Sequence, residues 1–319
     1  MMVPTFLGIT VITFAVVQLA PGSPVFLKLH KAEMSAGSLS PEIIEATKKL
    51  YGLDKPLPVR YILWLGKMVT LDFGNSYKDH RPVTERVLEA LPITIQLNLI
   101  SIFFIYLLSI PLGIFSATHQ HSWGDRISTV GLFLLYSLPN FWVAMLLMFF
   151  LGGGLYLNWF PVYGISSIGA EDWPWHEWLL DRLWHMVLPV FCLTYGSLAM
   201  LSRYARAGII DTIRQDYIRT ARAYGFSERT VIYRYALRNS LIPIITLVGT
   251  LLPVMIGGSV IIESIFTVPG MGRLSFEAIL SRDYPMIMGI LSFSAILTLI
   301  GLVISDILYV FVDPRIKFE

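Results

Sequence analysis

Six stretches of this chain stay apolar long enough for a helix to cross about 30 Å of hydrocarbon, which removes most soluble folds at once. They lie at residues 3–20, 92–115, 128–151, 186–204, 242–266 and 285–312, with the fourth weakened by Pro189 and Gly196. Of 319 residues, 55% are hydrophobic and only 14% charged. A soluble domain carries about a quarter charged residues, so lipid is the solvent for much of this chain. The reading is an all-α integral membrane protein with six transmembrane helices. The first segment lacks a basic flank and a small-residue cleavage site, so it is a retained helix rather than a secretory leader. The absence of Lys or Arg before it points to a start further upstream. Cys192, the single cysteine, can form neither an internal disulfide nor a thiolate metal site.

The polar stretch 21–91 is a helical loop domain after the first span. Within it, "SLSPEIIEATKKLYGLDKPLP" predicts a small helix with Ser40 as cap, Pro41 in the first turn, Glu45 and Lys49 spaced as an ion pair, and Gly52 at the end. The remaining 92–312 make a five-helix core containing an inner loop at 203–241, followed by a tail at 313–319. Orientation follows from basic residues in short loops. Eight arginines fall between Arg203 and Arg238, whereas the loop between the third and fourth spans carries Arg182 against Glu171, Asp172, Glu177 and Asp181. This places the arginine-rich loop and both termini in the cytoplasm, and the long loop outside. "EDWPWHEWLLDRLW" then reads as an amphipathic helix at the outer headgroup boundary, where tryptophan concentrates.

The inner loop, "DYIRTARAYGFSERTVIYRYALRNSLIP", is the richest part of the sequence. Each arginine costs about 2.5–3.5 kcal/mol at the bilayer centre, so the segment lies outside it. Asp216–Ala223 predicts a short helix stopped by Gly225 in the left-handed region, and Ser227 predicts the cap of a second helix running to Asn239, with Pro243 starting the fifth span. Tyr217, Thr220, Ala221 and Tyr224 share a face by spacing, flanked by Arg219 and Arg222. Small in the middle and aromatic at both ends, that face suits a partner's groove. A loop whose charge merely sets topology accounts for the same composition.

With this loop in view, the chain resembles the permeases of dipeptide, oligopeptide and nickel ABC importers. The resemblance rests on "VVQLAPGSP", "YGLDKPLPVRYILWLGKMVTLDFGNSY", "SLPNFWVAMLL", the arginine-rich segment, "ESIFTVPGMGRL" and "DPRI", which occur in order along nearly the whole chain. It implies a type I importer fold. It also implies that the loop docks on a separate ATPase through Tyr217, Arg219, Thr220, Ala221, Arg222 and Gly225. The wider permease pattern is Glu-Ala-Ala, three residues, then Gly; here Arg219 and Thr220 replace the first two, and Ala221 and Gly225 match. The implied partners are a second homologous permease, two cytoplasmic ATPases that use ATP and Mg2+, an extracytoplasmic binding protein and membrane lipid, in a bacterial inner membrane. No cofactor is expected on this chain, and no nucleic acid as partner. The chain lacks Gly-x-x-x-x-Gly-Lys-Ser/Thr, so its energy must come from a partner.

Inside the spans, Pro253 loosens the fifth helix and Gly257–Gly258 permit close backbone approach, so this span is expected to line the pathway beside a second permease. Asn140, after Pro139, and Glu263 are further pathway candidates. Glu263 and Asp306 are costly in lipid and so are functional candidates by default, with a structural capping or hydrogen-bonding role as the alternative. His119 and His121, with no carboxylate or thiol company in their turn, suit a solvated loop rather than a metal site. A self-sufficient secondary transporter is a rival, but neither a hydropathy repeat nor a central ion-coupling pair supports it. An intramembrane enzyme lacks His-Glu-x-x-His and Gly-x-Ser-x-Gly. Cargo is open between peptides, nickel and another small solute.

Overall fold

The computed structural model describes residues 2–19, 55–152, 156–240, 255 and 257–312. Among these the chain is helical, with one isolated antiparallel bridge between Asn75 and Pro82 and no strand. The helices are α1 (Met2–Leu19), α2 (Leu57–Val69), α3 (Val83–Thr118), α4 (Trp123–Ser137), α5 (Asn140–Leu147), α6 (Trp175–Ile213), α7 (Asp216–Ala223), α8 (Glu228–Thr230), α9 (Leu237–Ser240), α10 (Val260–Ile265), α11 (Met271–Leu280) and α12 (Tyr284–Val312). A π-helical turn, Met148–Gly152, continues α5, and another, Val231–Ala236, joins α8 to α9.

Two compact units divide the chain: residues 1–91 with 274–299, and residues 92–273 with 300–319. In the first, Phe14 of α1 and Met288 of α12 pack with Tyr61 and Trp64 of α2, and Thr10 hydrogen-bonds the Tyr61 hydroxyl at 2.9 Å. The segment 70–82 closes onto α12. Asp283 is 2% exposed, accepts from Ser76 Oγ at 2.5 Å, and caps α12 through the Met286 N–H at 3.3 Å. Gly289 lies against Val83 and Phe73 so tightly that an added Cβ would meet Val83 Cγ1 at 2.3 Å. The predicted helix capped by Ser40 lies outside the described residues.

In the second unit the core gathers Leu97 of α3, Val143 and Ala144 of α5, Met186, Val190, Cys192 and Tyr195 of α6, and Ile262 and Phe266. Among the described residues, three helices are long and apolar enough to cross a membrane, Val83–Thr118, Trp175–Ile213 and Tyr284–Ile304, with the broken pair Trp123–Ser137 and Asn140–Gly152 as a fourth. The segment at 242–266 lies mostly outside the described residues.

Four expectations change. The third span is not one straight helix: it bends by 95° between Ser137 and Asn140. Leu138 and Pro139 are extended, as a proline imposes on its predecessor, and the Tyr195 hydroxyl donates to the freed Leu138 carbonyl at 2.8 Å. The fourth span, weakest by sequence, is an unbroken helix of 39 residues through Pro189. At 1.5 Å per residue it is about 58 Å long, so it outruns the hydrocarbon. The tryptophan-rich segment is therefore no separate interfacial helix but the first turns of α6, entered at Pro174. Likewise α3 begins nine residues before Pro92, which sits inside it.

Candidate functional site

The helix predicted at Asp216–Ala223 forms over those residues and ends in a Schellman motif. Gly225 has φ +80°, its N–H donates to Arg222 O at 2.9 Å, and the Phe226 N–H reaches back to Ala221 O at 3.4 Å. No atom lies within 4 Å of a Cβ built at Gly225, so backbone conformation alone asks for glycine. Ser227 then caps α8, accepting from the Thr230 N–H at 3.4 Å.

Packing divides the predicted face. Ala221 is 5% exposed and Ile218 wholly buried, and both press on Val231 and Ala236, with Ile213 and Tyr235 alongside. Ala221 thus belongs to the seat of α7, not to its outer surface. Spacing grouped it with Tyr217, Thr220 and Tyr224, but the chain folds back through Gly225 and covers that flank. What remains outward is Tyr224, at 79% exposure, with Tyr217, Thr220 and Arg219. Tyr217 is steadied by Asn239 Nδ2, which donates to its hydroxyl at 2.8 Å.

Beneath this seat, Ile232 and Leu237 pack against Ile209 of α6 and against Ile114 and Ala117 of α3. Gly208 allows the Ser240 backbone close, and Gly113 admits α6 so near that a Cβ there would meet Ala205 Cβ at 2.5 Å. The small helix is therefore wedged on the ends of two long ones. A push on α7 reaches α3 and α6 through side chains already in contact.

Arg222 makes a two-pronged pair with Glu228, Nε to Oε1 at 2.8 Å and Nη2 to Oε2 at 3.2 Å, but both side chains are substantially exposed. Arg219 lies 3.7 Å from Asp216, also in the open. We expect Arg222→Gln to change stability by less than about 1 kcal/mol, read as an unfolding midpoint close to wild type. A large drop would show that the charged fork, rather than the apolar seat, holds the turn.

The pathway candidates separate. Glu263 is 2% exposed and enclosed, so it lines no open surface of this unit. Its Oε1 accepts from Thr94 Oγ1 at 3.1 Å and from the Ser259 N–H at 3.2 Å, and its Oε2 from the Arg273 N–H at 3.0 Å. Thr94 in turn accepts from the Met271 N–H at 2.8 Å. One carboxyl group thereby ties α3, the Gly258–Ser259 turn and the Val268–Gly272 turn together. Gly258, at φ +66°, leaves no room for a Cβ, which would meet Glu263 Oε1 at 2.5 Å. Gly257 is exposed, and Asn98 of α3 donates to Met255 O at 2.8 Å just before it. Asn140 is exposed at the start of α5. Pro253 lies outside the described residues, and Asp306 sits on α12 with its side chain outside those described. Sequence reading missed Thr94 and Asn98, since a lone polar residue in an apolar helix does not disclose its partner.

His119 stacks on Phe115 with ring centroids 4.8 Å apart, and the His121 N–H donates to Asp125 Oδ2 at 3.0 Å. Among the described residues, His, Cys, Asp and Glu form no group of three that could hold a metal ion.

Residues 109–318 match the family described as the binding-protein-dependent transport system inner membrane component. Over its whole length the chain is 40% identical to an oligopeptide transport system permease protein of Bacillus subtilis, covering 97% of that relative. It is 34% identical to a dipeptide transport system permease protein of Alkalihalophilus pseudofirmus, again over the whole chain and 97% of the relative. A solved structure of the MetNI methionine ABC transporter in inward-facing form shares the fold at a TM-score of 0.54, with 13% identity over 71% of this chain and 96% of the matched one. A type I importer fold, a helix wedged on the ends of two spans, and relatives matched end to end converge: this chain belongs to the family of inner membrane components of binding-protein-dependent ABC importers.

Proposed function

We propose that this permease carries di- or oligopeptides, that it pairs with a second, homologous permease, and that α7 is where a cytoplasmic ATPase grips it. The peptide assignment is supported by the names of its full-length relatives. The docking assignment rests on one observation: α7 shows an aromatic outer face while its inner face is fixed to α3 and α6. A partner whose shape changes with nucleotide biases a permease only through contacts that differ between its states. A helix so mounted supplies those contacts and passes them to two spans.

In this reading the arginine-rich loop and both termini face the cytoplasm, residues 21–91 form an extracytoplasmic domain, and ATP and Mg2+ are bound by the ATPases rather than by this chain. An extracytoplasmic receptor delivers the cargo. Tyr217, Arg219, Thr220 and Tyr224 touch the ATPase with exposed Arg222 at their edge, while Ala221 and Gly225 shape the helix that presents them. The turn at Gly257–Gly258, with Pro253 before it, and Asn140 border the pathway; Glu263 holds that turn in place.

Exposed tyrosines at the centre of an interface are frequent anchors, with truncation costing about 2 kcal/mol or more. Tyr224→Ala is therefore expected to weaken ATPase co-purification by roughly 30-fold while membrane insertion stays normal. Unchanged co-purification overturns the docking role. Labelling of a cysteine placed at Thr220 from outside intact cells overturns the orientation.

A further inference from the structure

Between α4 and α6, within the second unit, lies a cavity of about 860 Å3 that neither the docking helix nor the pathway turn uses. Its lining changes character along the helices. Towards one end lie Arg126 and Arg206, towards the other Tyr136 and Met200, and between them Arg203 stacks over Phe133. Arg126 precedes the predicted span at 128–151 and Arg206 follows the one at 186–204, while Arg203 stands in the last turn of the latter. The apolar end lies inside both predicted spans.

Charge at the basic end is unbalanced. Its one carboxylate, Asp125, is 5% exposed and already engaged: Oδ1 accepts from Ser116 at 2.7 Å, and Oδ2 accepts from the His121 N–H at 3.0 Å and from Arg206 Nη2 at 3.1 Å. Arg206 Nε is buried and has no hydrogen-bond acceptor among the described residues, a costly state for a charged group's donor. Arg203 stacks over Phe133 at 5.4 Å and Arg126 over Trp123 at 5.8 Å, contacts that leave their N–H groups available. Three guanidinium groups and one occupied carboxylate line the same cavity, an excess of positive charge that calls for an anion, and planar guanidinium suits phosphate oxygens. The adjoining wall of exposed Phe133, Tyr136 and Met200 calls for hydrocarbon on the same molecule.

We propose that this cavity binds an anionic phospholipid, its headgroup phosphate on Arg203 and Arg206 with Arg126 at the rim, and the upper part of an acyl chain along Phe133 and Met200. The assignment rests on α4 and α6 crossing the membrane, not on the coupling role of α7. Because α6 leads directly into α7, a lipid held here also stiffens the root of the docking helix.

The test uses the whole transporter, purified with its partner subunits from membranes containing phosphatidylglycerol and examined by native mass spectrometry. The wild type is expected to retain phosphatidylglycerol in preference to phosphatidylcholine. Each arginine near an anionic lipid surface contributes about 1 kcal/mol, so Arg203→Gln should lower retention about fivefold, and adding Arg126→Gln should lower it further. Met200→Ser, which removes part of the apolar wall and adds no charge beside the arginines, should also lower retention, because a free anion would not need that wall. Equal retention by wild type and variants overturns the site. Displacement of the lipid by millimolar inorganic phosphate shows an anion site and overturns the lipid assignment. A disulfide from a cysteine introduced at Thr129 to the second permease shows a subunit contact and does the same. Co-purification of the ATPase, scored on the same samples, reports separately on the docking helix.

Discussion

Gly225→Val should weaken the grip of the ATPase on the permease and cut receptor-stimulated ATP hydrolysis roughly 5- to 30-fold, while the protein still inserts and folds. The residue ends α7 at φ +80°, where a side chain with a branched Cβ clashes with its own carbonyl. The cost is about 1–2 kcal/mol, which reduces the population of the seated helix roughly 5- to 30-fold. Space is not at issue, since nothing lies within 4 Å of the new Cβ. Conformation therefore separates from bulk in a clean comparison: Gly225→Asn, which tolerates the left-handed region, should keep most of the coupling. The measurements are ATPase co-purification and stimulated hydrolysis in proteoliposomes. Valine and asparagine variants that couple equally well would remove the Schellman turn from the argument.

Glu263→Ala should have the largest effect on folding. Removing the carboxyl strands the partly buried Ser259 and Arg273 N–H groups and frees the buried Thr94 hydroxyl. Each orphaned donor costs about 1–3 kcal/mol when buried, so the two N–H groups together cost about 2–6 kcal/mol. The expected result is a sharp fall in the monodisperse fraction extracted in mild detergent and a lower unfolding temperature. Glu263→Gln keeps an acceptor and should recover part of the loss. Were Glu263 instead a group that touches cargo, the alanine variant would extract normally and lose only transport.

These two residues also show what was legible in the sequence. Gly225 was: a glycine after a helical run, with an N-cap serine two residues on, specifies its turn from neighbours alone, and α7 formed over Asp216–Ala223 as expected. Glu263 was legible as a costly carboxylate with either a functional or a capping, hydrogen-bonding role, but not by its partners. That it binds Thr94, 169 residues earlier, required α3 to be in place. Ala221 shows the same limit at shorter range. Helical spacing put it on the side of Tyr217 and Tyr224, but spacing cannot tell which side of a helix the rest of the chain will cover.

The spans divide likewise. Apolar length marked where lipid must be the solvent, because transfer free energy adds residue by residue along a segment. Helix ends were less accessible. Proline removes a helical donor wherever it stands, yet Pro139 breaks its span while Pro189 and Pro92 are carried within theirs, a difference that residue type alone does not encode. Local chemistry thus determined the membrane class, the arginine-rich loop and its glycine-stopped helix. Only the tertiary structure decided which groups the buried carboxyls hold, which face of α7 is free, and where three arginines meet an apolar wall. Those depend on pairs of residues far apart in the chain, and hydropathy, a sum over single residues, contains no pair terms.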